Sequence, residues 1–288
     1  MSIGVYHDNR AARLPLNTRG RDLIVGDLHG QMDALSALLD LASFDAHRDR
    51  LIAVGDLVDR GDDSLKLMEL QRSSTWFHAV IGNHEALMRD ALLGDPEALE
   101  IWQVNGGGWG ATLPKETRAA LIADVNSLPL TLEVPLRDGR LVGVIHAEVA
   151  PGVAWSTLRR TTLRRPDVLA NRDHAAAPAA IWGRRRIKAG LMLRHVSDRG
   201  RINAERQREI ELLEQPIDDI DLVVSGHSIV AGPARPLVFG NTVFIDTGAF
   251  TPDGRLTLFE PLTGHYWQVS AFGSSHLVGP LILPTPLR

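Results

Sequence analysis

The chain has 288 residues, of which 44% are hydrophobic and 23% are charged, so it can bury a large core within one compact domain. It contains no cysteine, which excludes disulfides, thiolate metal ligands and a cysteine nucleophile. Lysine and arginine total 31 against 35 for aspartate and glutamate, and the net charge of -4 gives no general attraction to nucleic acid or membranes. An anionic ligand therefore has to be captured by local charges.

The beginning of the chain predicts neither a secretory signal nor a membrane anchor. Residues 1–21 mix charged side chains with scattered apolar ones. Elsewhere no stretch reaches the roughly 18 to 20 apolar residues that are needed to span a bilayer. We expect a soluble, cytoplasmic protein.

Short apolar runs that end in glycine predict the first half of the fold. They occupy residues 22–26, 51–55, 77–82 and, later, 221–226. Runs this short and rich in valine and isoleucine are typical of buried strands. Between the first three runs, residues 32–42 and 64–72 carry apolar side chains at helical spacing. Alternating strands and helices imply right-handed crossovers and a largely parallel opening sheet.

The middle of the chain changes character and predicts a helical insertion at about 85–126. The expected helices are 85–93, 96–104 and 116–125, and the sequence Asn105-Gly-Gly-Gly-Trp109 interrupts them. The second half returns to strands, which we expect at 130–135, 141–145, 222–225, 242–245, 256–259 and 266–269. Because several of these strands are consecutive, antiparallel pairing is expected among them.

The remaining segments complete the predicted organisation. Residues 155–204 are rich in arginine and lack clear periodicity, which predicts loop and short helix. The fold class is α/β, a sandwich whose strands converge at one edge. We expect a single domain at 1–271 and a C-terminal tail at 272–288 that packs along the surface.

Polar clusters follow each of the early strands. They read Gly26-Asp27-Leu28-His29-Gly30, Gly55-Asp56-Leu57-Val58-Asp59-Arg60-Gly61 and Gly82-Asn83-His84-Glu85, and two later apolar runs end at His146 and His227. In open α/β sheets, ligands bind at the carboxyl ends of the strands. Together the clusters offer six oxygen or nitrogen donors: Asp27, His29, Asp56, Asn83, His146 and His227.

This set of donors suits a pair of divalent first-row cations about 3.5 Å apart. Asp27 and His29 are two positions apart on a turn and can face one cation. Asp56 can bridge both cations, because its carboxylate has two oxygens and a negative charge, and Asn83 and His146 then suit the second one. Each cluster alone could be an ordinary turn or a surface histidine. Five such clusters, each directly after an apolar run, favour the metal site.

The three early clusters together resemble the signature of the phosphoprotein phosphatase family, within the wider calcineurin-like metallophosphoesterases. The sequences Asn105-Gly-Gly-Gly-Trp109 and His146-Ala147, with residues 226–249, resemble its bacterial and bacteriophage lambda branch. The resemblance covers residues 22–260. It implies a metallophosphoesterase-type β-sandwich of mixed sheets flanked by helices, with a helical insertion.

The resemblance also implies a role for each site residue. One cation would be bound by Asp27, His29 and Asp56, and the other by Asp56, Asn83, His146 and His227. His84, oriented by Asp59, would protonate the leaving oxygen, and Arg60 would hold a phosphate oxygen. A second phosphate-binding arginine is best matched by Arg184 in Trp182-Gly183-Arg184, although Arg185 and Arg186 are adjacent.

The activity implied by the resemblance is that of a metal-dependent protein phosphatase. Its expected substrates are phosphoserine and phosphothreonine, with phosphotyrosine as an option, and its expected reaction is direct attack by a hydroxide that bridges two divalent cations. Manganese is the expected metal, with iron and zinc as alternatives, because imidazole, carboxylate and amide ligands suit all three. The expected partner is a phosphorylated protein or small phosphate ester, with no nucleic acid and no membrane.

Two other functions stay open. Hydrolases of dinucleoside polyphosphates share the metal scaffold but typically lack the acidic residue before the arginine, whereas this chain has Asp59-Arg60. A silent binding module would have lost a metal ligand or the general acid, and this chain retains them all. Ala147-Glu148 and Ser228 depart from the eukaryotic pattern, and we expect them to alter loop shape.

Overall fold

The computed structural model describes residues 11–163, 165–169, 175–195, 202–230, 235–272 and 275–284. In these ranges the strands are β1 (Ala12–Arg13), β2 (Asp22–Val25), β3 (Arg50–Ala53), β4 (Phe77–Ala79), β5 (Thr131–Pro135), β6 (Leu141–Ile145), β7 (Leu222–Ser225), β8 (Leu237–Phe239), β9 (Thr242–Phe244), β10 (Leu256–Phe259), β11 (His265–Val269) and β12 (His276–Pro280). The helices are α1 (Met32–Leu41), α2 (Ser64–Ser73), α3 (Asn83–Leu92), α4 (Pro96–Val104), α5 (Lys115–Ser127), α6 (Trp155–Leu158), α7 (Arg165–Leu169), α8 (Ala176–Trp182), α9 (Arg185–His195) and α10 (Ala204–Glu214), with a 3-10 helix at Gly107–Thr112. The strands form two six-stranded mixed sheets, which confirms the predicted α/β sandwich.

The first sheet has the strand order β12-β11-β10-β2-β3-β4. Its strands β2, β3 and β4 are parallel and are connected by α1 and α2, as the apolar runs predicted. On the other side of β2, the strands β10, β11 and β12 continue the sheet in antiparallel fashion. The three parallel strands therefore all end at one edge of the sheet.

The second sheet has the order β1-β5-β6-β7-β9-β8. The consecutive strands β5 and β6 pair antiparallel as expected, but β6 pairs in parallel with β7, and β7 in parallel with β9. Parallel neighbours need a long connection, and the chain between β6 and β7 supplies one that contains α6 to α10. The strands β6 and β7 therefore also end at a common edge.

The two sheets pack face to face around a shared apolar core. Within β2, Ile24 belongs to the core between the sheets, whereas Leu23 and Val25 belong to the core beneath the helices. Successive side chains of a strand point to opposite faces, so a strand covered on both faces is apolar throughout. The core between the sheets includes Ile24, Ile52, Val54, Val80, Val134, Val142, Val144, Val224 and Val243.

The helical insertion contains α3, α4, the 3-10 helix and α5. Helix α3 begins at Asn83, two residues earlier than expected, so that Asn83 and His84 lie in its first turn. Helix α4 has its predicted bounds, because Pro96 suits a first turn and the Asp95 carboxylate accepts the N–H groups of Glu97 and Ala98. None of the helices described here is both long and apolar enough to cross a membrane.

Two segments differ from the sequence expectation. Helix α9 is longer than the short helices expected in 155–204, and its Ile187 and Ala189 pack against the apolar side of β8. Residues 164, 170–174 and 196–201 of that segment lie outside the described part. Residues 276–280, expected in a surface tail, form the edge strand β12, whose side chains alternate between exposed and half-buried. Residues 273–274 and 285–288 of that tail, including Pro286, are outside the described ranges.

Candidate active site

Strand ends from both sheets meet at one place in the molecule. Asp27, Asp56 and Asn83 follow β2, β3 and β4 of the first sheet, and His146 and His227 follow β6 and β7 of the second. The backbone N–H of His227 donates to both carboxylate oxygens of Asp27, at 3.1 and 3.0 Å. The structure thus brings together all six predicted donors, which are buried: Asp27, His29, Asp56, Asn83, His146 and His227.

Asn83 and Asp56 lie at the centre of this cluster. The amide Oδ1 of Asn83 is 2.8 Å from His146 Nε2 and 2.9 Å from His227 Nδ1. Asp56 directs Oδ1 to His146 Nε2 at 3.4 Å and Oδ2 to His29 Nε2 at 3.6 Å. Asp56 therefore faces two groups of ligand atoms with its two oxygens.

Two sets of potential ligand atoms each lie within 4.8 Å of one another, and both contain Asp56. One set joins Asp56 to His146 and His227, and the other joins it to His29 and His84. The second set contains His84, to which the resemblance assigns proton donation. It does not contain Asp27. The shared position of Asp56 is the geometry expected of a ligand that could bridge two cations.

Hydrogen bonds to backbone carbonyls orient two of the imidazoles. His29 Nδ1 lies 2.9 Å from the carbonyl oxygen of Val58, and His146 Nδ1 lies 2.8 Å from that of Val54. Burial lowers the pKa of His29 to about 3 and also lowers the pKa of His146, so both rings are neutral at pH 7. Each ring then donates through Nδ1 and turns the lone pair of Nε2 toward the centre.

These lone pairs fit a cation. The Nε2 lone pair of neutral His146 faces one oxygen of Asn83 and one oxygen of Asp56. All three atoms are hydrogen-bond acceptors, and acceptors that share no proton do not attract one another. A divalent ion between them would satisfy all three. Nitrogen and oxygen ligands without sulfur suit manganese, iron or zinc.

Three buried carboxylates, those of Asp27, Asp56 and Asp246, lie close together and would be stabilised by a bound cation. Burial, together with repulsion from Asp246 and Asp56, raises the pKa of Asp27 well above its ordinary value. Burial likewise raises the pKa of Asp246 to about 6, with a further contribution from Asp56. Asp246 was not among the predicted site residues, although this aspartate directly follows an apolar run, as Asp27 does.

Backbone strain is concentrated at this site. Seven non-glycine residues of the described chain have a positive φ, and the five at this site are His29, Asp56, Asp59, Arg60 and His227, with φ values of 42°, 49°, 73°, 70° and 67°. Such conformations cost on the order of 1–3 kcal/mol each and persist only where the surrounding structure enforces them. The site is therefore held in place by its surroundings.

The side chain of Glu85 holds part of this strained backbone in place. Its Oε1 accepts the N–H groups of Leu57 and Val58, and its Oε2 accepts those of Asp56 and Gly82. Burial, followed by repulsion from Asp56, raises the pKa of Glu85 to about 7. The sequence motif included Glu85 without a role for it, although a glutamate three residues after the N-cap, here Gly82, has the spacing of a capping box.

His84 and Asp59 form a hydrogen-bonded pair beside the cluster. His84 Nδ1 lies 2.6 Å from Asp59 Oδ2, and His84 Nε2 points to the centre, 3.8 Å from Asp56 Oδ2. Burial alone would lower the pKa of His84, but the carboxylates of Asp56 and Asp59 outweigh it and raise this pKa. The imidazole can therefore carry a proton on Nε2 while Asp59 fixes Nδ1.

Two arginines point into the site. Arg60 donates from Nη1 to His29 Nε2 at 3.0 Å, and its Nη2 lies 3.2 Å from His84 Nε2, with its guanidinium 4.0 Å above the ring centre of Phe250. Arg184 donates from Nε to His227 Nε2 at 3.0 Å. Both guanidiniums lie where an anion bound at the centre would need positive charge.

Only Arg184 of the adjacent arginines reaches the centre. Arg185 pairs with Glu209 at 3.3 Å, and the buried guanidinium of Arg186 donates to the carbonyls of Val149, Leu213 and Gln215. The structure therefore places Arg184 at the site and its two neighbours away from it.

Glu148, one of the positions that depart from the eukaryotic pattern, connects two parts of the site. Its carboxylate accepts the backbone N–H of Arg186 at 2.7 Å, and its own N–H donates to the carbonyl of Ala179. The turn that carries His146 is thereby joined to the segment that carries Arg184. Ser228, the other departure, is buried next to His227.

Comparisons with known proteins find a matching family and named relatives. The family model described as calcineurin-like phosphoesterase matches residues 21–231. Serine/threonine-protein phosphatase 1 of Salmonella typhimurium is 32% identical over 238 residues, which are 82% of this chain and 89% of that protein. A symmetrical bis(5'-nucleosyl)-tetraphosphatase of Glaesserella parasuis is 34% identical over 161 residues, which are 56% of each chain.

Solved structures share the fold. The crystal structure of a candidate diadenosine tetraphosphatase aligns with 94% of this chain and 97% of its own, with a TM-score of 0.53 and 21% sequence identity. The family expected from the strand-end motifs is confirmed by the family model and by the phosphatase relative together. The chain belongs to the calcineurin-like phosphoesterases, whose activity depends on divalent metal ions.

Proposed function

We propose that this phosphoesterase is a protein phosphatase that hydrolyses the phosphate monoesters of phosphoserine and phosphothreonine. The observation that carries the proposal is the 2.6 Å contact of Asp59 with His84, beside a cluster of buried metal-type ligands. A monoester has a poor leaving group, and an oriented proton donor is the device that such a group requires.

The proposed ligand roles are those that the resemblance to the family implies. Asp27, His29 and Asp56 would hold one cation, and Asp56, Asn83, His146 and His227 would hold the second. When bound, two divalent ions lower the pKa of a shared water and neutralise charge on the phosphoryl group. Manganese is the proposed metal, and iron and zinc fit the same ligands.

The remaining side chains bind and protonate the substrate. Arg60 and Arg184 would bind phosphoryl oxygens through paired N–H groups and orient the phosphorus for in-line displacement. His84 would donate the proton on Nε2 to the departing oxygen while keeping its Nδ1 proton on Asp59. A positioned acid of this kind contributes about 100- to 10,000-fold in rate.

The rival proposal is hydrolysis of dinucleoside polyphosphates, the activity named for the Glaesserella parasuis relative. The phosphatase relative from Salmonella typhimurium matches over 89% of its length, and the tetraphosphatase over 56% of its own. The longer match and the Asp59–His84 pair both favour the monoester. A silent binding module is disfavoured because every proposed ligand and the proton donor are present.

The test is a direct comparison of substrates with Mn²⁺-loaded protein. We expect kcat/KM for a phosphothreonine peptide to exceed that for diadenosine tetraphosphate at least tenfold. A preference for the dinucleotide would transfer the proposal to the rival hydrolase. Absence of turnover with both substrates, in protein shown to contain metal, would support the binding module.

A further inference from the structure

Two tryptophans, one before the glycine-rich stretch 105–110 and one within it, contact Asp59. Trp109 Nε1 donates to Asp59 Oδ1 at 2.7 Å, and Trp102 Nε1 donates to Oδ1 and Oδ2 at 2.9 and 3.0 Å. Trp102 comes from α4 and Trp109 from the 3-10 helix. The helical insertion therefore contacts the catalytic centre through two indole N–H groups.

The Asp59 carboxylate is oriented by hydrogen bonds with these two indoles and with His84. Asp59 is fully buried, its backbone φ is 73°, and its backbone N–H donates to Ser64 Oγ. Within the described part of the chain, no lysine or arginine lies within ion-pair distance of its carboxylate. Neutral donors fix the direction of a carboxylate without neutralising it, so the negative charge of Asp59 remains directed at His84.

The glycines of this stretch accommodate the Trp102 ring. A Cβ atom on Gly107 or on Gly110 would overlap ring atoms of Trp102, whereas a Cβ on Gly108 would meet no atom within 4 Å. The two indoles also contact each other edge to face, with ring centres 5.7 Å apart. The local sequence is thus built around the placement of the two rings.

The geometry points to Trp102 and Trp109 as positioning residues for proton donation. They hold the Asp59 carboxylate in the one orientation that fixes His84 Nδ1 and turns Nε2 toward the leaving oxygen. This inference rests on the proposed role of His84. Its consequence is that removing the indole N–H groups weakens catalysis most for the substrates that most need a proton.

The experiment replaces the indoles with phenylalanine, which keeps a ring but removes the donor. The variants are Trp102→Phe, Trp109→Phe and both together, and kcat is compared for p-nitrophenyl phosphate and phenyl phosphate. Phenolate is the more basic leaving group and needs the acid more. We expect the double variant to lose about tenfold more on phenyl phosphate than on p-nitrophenyl phosphate.

The matched control is Trp155→Phe. Trp155 is as buried as Trp102, and its Nε1 also donates to a carboxylate, that of Glu133, at 2.9 Å. We expect this variant to leave the ratio of the two kcat values unchanged. Partial unfolding reduces both rates equally, so a ratio separates positioning from mere structural support. If Trp102→Phe does not fold, the half-buried Trp109 still gives the answer through Trp109→Phe.

His84→Asn separates failure of this inference from failure of the proposed function. If His84→Asn shifts the ratio and the tryptophan variants do not, the inference is wrong and the proposed acid stands. If His84→Asn leaves the ratio unchanged, the acid role itself fails, and the inference fails with it.

A second measurement needs no activity. In metal-free protein, Asp59→Asn is expected to shift the indole N–H resonances of Trp102 and Trp109 and to leave that of Trp155 in place. Unshifted resonances for Trp102 and Trp109 would overturn the contact on which the inference depends.

Discussion

The carboxylate of Glu85 shows how a side chain that is not itself a proposed metal ligand can shape the proposed metal centre. Its four accepted N–H groups come from the turn after β3 and from the start of α3. The turn carries Asp56, and the helix start carries Asn83 and His84. One side chain therefore sets the relative positions of the proposed bridging ligand, a second proposed ligand and the proposed proton donor.

We predict that Glu85→Gln weakens both the fold and metal binding. A glutamine presents an NH₂ group to some of the four donors, and a buried unsatisfied polar group costs about 1–3 kcal/mol. The measurements are urea unfolding of metal-free protein and calorimetric titration with Mn²⁺. Glu100→Gln, on the exposed side of α4, is the control and should match the wild type. Unchanged unfolding and unchanged Mn²⁺ affinity in Glu85→Gln would contradict this role.

The residues that meet at the strand ends were easier to predict from sequence than the residues that orient them. Asp27, Asp56 and Asn83 could be found because each directly follows an apolar run, and parallel strands end at one edge. The contacts of Trp102 with Asp59 join residues 43 positions apart, and no local pattern announces them. The choice of Arg184 over Arg185 also needed the three-dimensional position of α9.

At the scale of elements, the insertion from α3 to α5 is tied to the site by α4 and the 3-10 helix. Gly107 and Gly108 are neighbours in this stretch but differ in their surroundings. Of these two glycines, only Gly107 lies against Trp102. The pair therefore offers a test in which the same chemical change is made at adjacent positions.

We predict that Gly107→Ala displaces Trp102 and lowers the melting temperature of the protein, with a loss of activity. The methyl group would overlap the indole ring, and overpacking of a core costs about 1–3 kcal/mol. Gly108→Ala should keep both properties near those of the wild type. Calorimetric melting and hydrolysis of phenyl phosphate measure the two effects. Equal behaviour of the two variants would contradict the packing described for Trp102.

The predictability of the elements followed their burial. Strands β6, β7 and β10 have their predicted bounds because their residues are mostly apolar and almost all buried. Strand β12 lies at a sheet edge and has no buried residue, so its sequence lacked that signal. Strand β1 has only two residues, too few for any pattern to appear.

At the scale of the whole molecule, the site lies where strand ends of the two sheets meet. The first sheet supplies Asp27, Asp56 and Asn83, and the second supplies His146 and His227. Metal ions bound between them would cross-link the sandwich at one edge. A ligand that binds the folded state stabilises it in proportion to RT ln(1 + [L]/Kd), so metal loading is expected to stabilise the entire fold.

The fold alone does not decide the substrate. Relatives named as a protein phosphatase and as a dinucleotide hydrolase match the same chain, and a shared scaffold carries different activities. The side chains around the proposed metal ligands that bear on the choice of substrate are above all Asp59, His84 and the two tryptophans. The substrate assignment therefore depends on these residues.

The measurement that tests the central claim most directly is the number of Mn²⁺ ions bound per chain after dialysis, in the wild type and in Asp56→Asn. Asp56 faces both sets of ligand atoms, so its loss should impair both sites together. We predict two ions per wild-type chain, and fewer than one per Asp56→Asn chain with loss of p-nitrophenyl phosphate hydrolysis. One ion or none in the wild type, or two ions with full activity in Asp56→Asn, would contradict a two-metal centre bridged by Asp56.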